Sequence, residues 1–99
     1  MHPSVETVRD VVPGVHLISH GHTNCYVVEG EGGVTLVDAA FPATWAAVRQ
    51  CLADVGRSAS DVRGLVITHG HFDHVGFASR LQSSYGVPVW AHEIGRAHV

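Results

Sequence analysis

The sequence predicts an α/β fold, a sheet with some parallel strands covered by helices, and three observations predict it. The first third alternates short β-rich runs with turn signals, and the apolar spacing then changes to that of a helix. Two later apolar runs, too short to be helices, alternate with helical stretches. Ninety-nine residues make a single small domain, with little margin between surface and core.

The elements follow in order. Val8–Val12 and Val15–Ser19 read as strands joined by a Pro13-Gly14 turn. Thr23–Glu29 and Val34–Val37 flank Gly30-Glu31-Gly32-Gly33, a hairpin loop. Thr44–Val55 carries Trp45, Val48, Leu52 and Val55 on one helical stripe, and Gly56 stands where a C-cap belongs. Residues 58–63 are polar and read as a loop or short turn. Gly64–Thr68, with Leu65, Val66 and Ile67 in succession, reads as a short strand buried on both faces. A second helix is expected over Val75–Tyr85, stopped by Gly86 and Pro88, and Val87–Ala91 reads as another short buried strand. The order ββββ-α-β-α-β ends on a strand with nothing evident to cover it, so the domain is expected to be unfinished.

The last seven residues, Glu93–Val99, resemble the translation of a short-read sequencing adapter, (G)AG ATC GGA AGA GCA CAC GTC. They are expected to be a non-native tail, and Arg96 and His98 receive no role. Domain reasoning is confined to residues 1–92.

Net charge is −3 and there is no basic run, so nothing points to nucleic acid or an anionic membrane. No apolar stretch has the length of a signal core or a membrane span, which makes cytoplasmic the default location. Cys25 and Cys51 lack any paired spacing and read as small buried hydrophobes. Trp45 and Trp90 read as core or layer-packing residues. His16, His20 and His22 alternate near a strand end. They raise the idea of a further metal site but read first as solvated strand or loop histidines.

The chemistry concentrates in Thr68-His69-Gly70-His71-Phe72-Asp73-His74, directly after a short apolar strand. Side chains two apart on extended backbone point the same way, so His69 and His71 can converge on one ion. Asp73 keeps that parity. His74 breaks it, and shares a site with Asp73 only if the chain turns there, as it would on entering a helix. One loop can thus serve two neighbouring ions, His69 and His71 holding the first, Asp73 and His74 the second. Imidazole and carboxylate donors suit zinc, with iron and manganese also compatible. The motif is specific because it needs four donors in six positions between a strand and a helix.

Residues Thr68–Gly76 resemble the signature of the metallo-β-lactamase superfamily, and Asn24-Cys25-Tyr26-Val27-Val28 and Thr35-Leu36-Val37-Asp38 resemble other parts of that family. The resemblance covers nearly everything from Val8 to Glu93. It implies a four-layer αβ/βα sandwich with its metal site in the cleft between the halves, of which residues 1–92 would be a partial domain, the first half. It also implies His69 and His71 as ligands of the first site, and Asp73 and His74 of the second. The family's remaining ligands come from downstream positions that this sequence does not contain, and His92 does not match them.

The expected parent activity is zinc-dependent hydrolysis of a small ester, thioester or lactone, as in glyoxalase II-like and lactonase-like relatives, with two zinc ions per intact domain. A hydroxide shared by the two ions would attack the carbonyl. Asp73 is the catalytic candidate, binding its metal and orienting the nucleophile. Asp38, at a strand end, is either the acceptor of a hydrogen bond from a ligand imidazole or an ordinary turn aspartate. The competing reading is an oxidoreductase like the persulfide dioxygenases, with one iron ion. The expected partner is a small-molecule substrate, with oligomeric state left open, and the 99-residue chain by itself is expected to be inactive.

Overall fold

Burial along β2 (Val15–His20) alternates between half-buried and fully buried residues, the period-two pattern of a strand with one face covered. The same alternation in β3 (Thr23–Gly30) and β4 (Gly33–Val37) puts Ile18, Cys25, Val27, Val34 and Leu36 on one side of the sheet. In this computed structural model, which describes residues 5–40, 42–68 and 78–91, six strands form one sheet in chain order. From β1 (Val5–Val12) to β4 neighbours are antiparallel; β5 (Val62–Ile67) and β6 (Val89–Ala91) then join in parallel.

Helix α1 (Trp45–Asp54) follows a short 3₁₀ turn, Pro42–Thr44, and buries Trp45, Val48, Cys51 and Leu52 against the sheet. It ends as its sequence predicts. Gly56 takes φ +78°, its N–H reaches the Ala53 carbonyl, and the Arg57 N–H closes on Leu52 at 2.7 Å, a Schellman motif. Helix α2 (Ala78–Tyr85) adds Ala78 and Leu81 to the same core, and its Tyr85 ring lies 5.8 Å from that of Trp45. Both helices therefore cover one face. Each fully buried Leu, Ile or Val there contributes about 1.5–3 kcal/mol.

The other face carries a registered row, Val8–Leu17–Tyr26–Val37–Val66–Trp90, one residue from each strand. Its members are half-buried or exposed, rising to 58% exposure at Trp90. This corrects two expectations. Among the described residues, strand β5 is buried on one face only, with Arg63 and Val66 exposed. Trp90 is not a core residue: its ring lies on the uncovered face over Gly64, where a Cβ would stand 2.6 Å from a ring carbon. Strand β5 also begins at Val62, taking in part of the expected loop, while Ser58–Asp61 forms a capping box. Residues 75–77 of the expected second helix lie outside the described residues, as do residues 93–99 of the tail.

A third correction concerns His16 and His20, which are buried and not solvated. They share the inward parity of Ile18, and each has a polar partner that makes burial tolerable. The Asp10 backbone N–H donates to His16 Nδ1 at 3.0 Å, so the ring proton sits on Nε2, which donates to Glu29 Oε2 at 2.8 Å. His20 Nδ1 is 2.7 Å from Thr44 Oγ1, which ties β2 to the start of α1. His22, in the turn beyond, is exposed as expected.

Gly33 sits at φ +140°, where an added Cβ would lie 2.6 Å from the Asp61 carbonyl oxygen. Gly33→Ala is expected to destabilise the fold by about 2–3 kcal/mol through strain and backbone overlap. A fall in the urea midpoint with an unchanged slope would register it.

Candidate metal centre

Parallel strands β4 and β5 both run toward one edge of the sheet, and the short turn between β2 and β3 lies at that same edge. In open α/β sheets the carboxyl ends of parallel strands are where ligands bind, because chains diverge there and leave a crevice. The two strand ends are tied together by Asp38. Its N–H donates to the Val66 carbonyl at 2.7 Å, and its backbone takes φ +66°, a left-handed conformation that Asp tolerates better than most residues. Its carboxylate then accepts two hydrogen bonds from Thr68, from the backbone N–H at 2.9 Å and from Oγ1 at 2.8 Å.

Thr68 immediately precedes His69. The four ligand candidates His69, His71, Asp73 and His74 lie outside the described residues. Among the described residues there is no group of three or more His, Cys, Asp or Glu side chains able to hold a metal. Asp38, expected either to orient a ligand imidazole or to be a plain turn residue, binds the residue next to the first ligand candidate. A carboxylate offers about four lone-pair sites, so two bonds to Thr68 leave acceptor capacity.

A cleft of about 370 Å³ opens at this edge, lined by His22, Thr23, Asn24, Tyr26, Val37, Asp38 and Thr68. Tyr26 and Val37 are direct partners across β3 and β4, and they bring apolar side chains to it. Asn24 continues the parity of Tyr26 along β3, and His22 reaches the cleft from the Gly21-His22 turn; both bring polar side chains. From the sequence, His22 reads first as a solvated loop histidine, and Asn24 either fixes a loop near the cleft or caps a turn. For Asn24 the signal is the period of two counted backward from Tyr26 along β3.

Cys25 lies behind this wall, facing the core. Burial, then the Asp38 carboxylate and then Cys51, push its thiol from 9.0 up to about 12, and burial raises Cys51 as well. Both are free, buried thiols held in the protonated form, unsuited to act as nucleophiles or metal ligands.

This mixed sheet carries both helices on one face, and a histidine-rich run follows its parallel strand β5 in sequence. The family model of the metallo-β-lactamase superfamily matches residues 18–98, and the chain belongs to that superfamily. It is 35% identical to a metal-dependent hydrolase of Desulfitobacterium hafniense over 71 residues, 71% of this chain and 27% of that protein. It is 47% identical to the hydroxyacylglutathione hydrolase GloC of Haemophilus influenzae over 30 residues, 30% of this chain and 14% of that protein. A metallo-β-lactamase of Cronobacter sakazakii superposes with a TM-score of 0.77 at 23% identity, over 95% of this chain and 36% of that one. The architecture is thus that of the amino-terminal part of the metallo-β-lactamase fold. The chain spans between a quarter and a third of the length of the first curated relatives it matches. Among the described residues, no helix is long and apolar enough to cross a membrane.

The native fold is expected to protect Cys25 and Cys51 from alkylation at pH 8, where denatured chains react readily. A thiol whose folded pKa is raised leaves stability intact below the unfolded value of 9.0 and lowers it as pH climbs from there toward about 12. Cys25→Ala should lose that part of the alkaline decline, as read by denaturant titration across the range.

Proposed function

We propose that this chain is the metal-binding, amino-terminal part of a hydrolase that cleaves a small ester, thioester or lactone. Two zinc ions would be held in part by His69 and His71 and in part by Asp73 and His74. The donor set fits them: three imidazoles and one carboxylate in six positions are the ligands zinc takes. When bound, such ions supply Lewis acidity toward a carbonyl and make water acidic enough to attack at neutral pH.

The observation that carries this reading is the two-point grip of Asp38 on Thr68, because it fixes the strand end from which the ligand run departs. Metal sites need ligands held by groups behind them, and a backbone N–H plus a hydroxyl bound to one carboxylate is such a support. Tyr26 and Val37 give the adjoining cleft an apolar wall suited to the hydrocarbon part of an acyl group. Asp73, as a ligand, would be ionised and would orient the attacking water. The names of the relatives in Desulfitobacterium and Haemophilus favour hydrolysis, and the second favours a thioester. With the ligand set incomplete in these 99 residues, the chain alone would bind metal weakly, and the whole domain would be needed for turnover. A small-molecule substrate and a cytoplasmic location complete the proposal.

Metal analysis of the complete, active protein is expected to find two zinc ions per chain, with hydrolysis lost on chelation and restored by zinc. One iron per chain, with oxidation of a persulfide in place of hydrolysis, would overturn the assignment. The 99-residue chain by itself is expected to show negligible turnover, and a robust metal-dependent rate from it would contradict the partial-site reading.

A further inference from the structure

Both ring nitrogens of His16 are engaged, and by opposite kinds of partner. The Asp10 N–H donates to Nδ1 at 3.0 Å and Nε2 donates to the Glu29 carboxylate at 2.8 Å, with the residue only 1% exposed. This arrangement fits the neutral imidazole alone. A second proton, on Nδ1, would set one N–H against another in a buried setting where neither regains solvent.

The backbone on the Nδ1 side is the irregular part of β1. Asp10 takes φ +55°, in the left-handed region, and stands between Val8 and Val12, where the register with β2 shifts. Two bonds hold it there, its N–H on His16 and its carboxylate on the Gly14 N–H at 3.1 Å. Strained backbone persists only while such contacts over-determine it. The charged groups on the other elements around the ring are already engaged. Arg57, beyond α1, lies 3.5 Å from the second oxygen of Glu29 and donates to the Gly30 carbonyl. Arg9 donates to the Asp54 carbonyl at the end of α1, and the Asp54 carboxylate accepts from Gln50. Cys51 of α1 is a thiol that burial keeps protonated. Glu29 accepts from Nε2 in either charge state of the ring, so only the Nδ1 side must change.

We propose that His16 is a pH-sensitive latch on the amino-terminal edge strand, clamping the Asp10 bulge of β1 when neutral and releasing it when protonated. The incoming proton occupies the Nδ1 lone pair, and the Asp10 N–H loses its acceptor. Asp10 then turns its own carboxylate to Nδ1–H and gives up Gly14, which frees its backbone from positive φ. Glu29 keeps its bond to Nε2, so β2 and β3 stay paired. The latch lies at the strand ends away from the cleft and does not depend on the hydrolase reading.

The test follows two NMR signals in the complete protein from about pH 8 to about pH 5, the range in which imidazoles change charge. The His16 ring nitrogens report its proton count, and hydrogen exchange, corrected for the intrinsic effect of pH, reports the Asp10 amide. Protection of Asp10 is expected to fall about tenfold as His16 takes its second proton, the size of one lost hydrogen bond, while the amides of β3 keep theirs. His16→Gln, whose amide offers an acceptor and a donor but no charge, is expected to show constant protection. Asp10→Asn, which tolerates positive φ and removes the carboxylate, is expected to respond as the wild type does. A response that survives His16→Gln or vanishes in Asp10→Asn assigns the switching to a carboxylate and overturns the proposal. So does constant Asp10 protection while His16 protonates, a His16 that stays neutral until the whole sheet unfolds, or loss of protection in β3 together with Asp10. Should His16→Gln not fold, the wild type and Asp10→Asn decide the matter, since both signals are read in each.

Discussion

The carboxylate of Asp38 joins the ends of two parallel strands that no loop connects directly. Thirty residues separate it from Thr68, yet both of its oxygens are committed there. Parallel neighbours cannot be linked by a tight hairpin, so their ends are held only by the ladder and by whatever side chains reach across. Here the ladder stops at Val37 and Val66, and the Asp38 N–H to Val66 bond together with the carboxylate grip extends the registration two residues further. That extension decides where the chain stands when it begins the run His69 to His74. In this fold Thr68, held by Asp38, is the residue that immediately precedes that run.

The cost of the arrangement is visible beside it. Asp38 and Ala40 both adopt positive φ, a conformation that costs of order 1–3 kcal/mol for residues with a Cβ. Strain of that kind persists where surrounding contacts over-determine it, and the bonds from Asp38 to Val66 and Thr68 do so. On the covered side, the polar cost is met locally: His16 has Asp10 and Glu29, and His20 has Thr44. The histidines of β2 are structural pins.

Much of the fold was legible in the sequence because its signals are local. The 3.6-residue stripe of Trp45, Val48 and Leu52 with Gly56 at its end marked α1, and Gly30 to Gly33 marked the hairpin. What the sequence did not disclose is which apolar residues lack a covering layer. Leu65 and Val66 are adjacent and equally apolar, yet one is fully buried and the other faces outward, since burial depends on layers that no local pattern encodes. Trp90, expected in the core or packing between layers, is outside the core for the same reason, and His16 and His20 misled in reverse. Polar residue type suggested solvent, while strand parity with Ile18 put them inside. The candidate ligands His69, His71, Asp73 and His74 stand out by their spacing, and they lie outside the described residues. Asp38 was legible as a candidate but not in its role, because its partner is distant in sequence and only the parallel pairing of β4 and β5 brings the two together.

The account stands on the claim that the Asp38–Thr68 pair sets the metal site. The most direct measurement is the zinc dissociation constant of the complete protein, by chelator competition, for wild type, Asp38→Ala, Thr68→Val and the double variant. The account predicts that each single change weakens zinc by about 10- to 100-fold, as losses of supporting hydrogen bonds behind ligands do, with the double variant little worse than either. Unchanged affinity in Asp38→Ala with the fold retained, or fully additive losses, would contradict it.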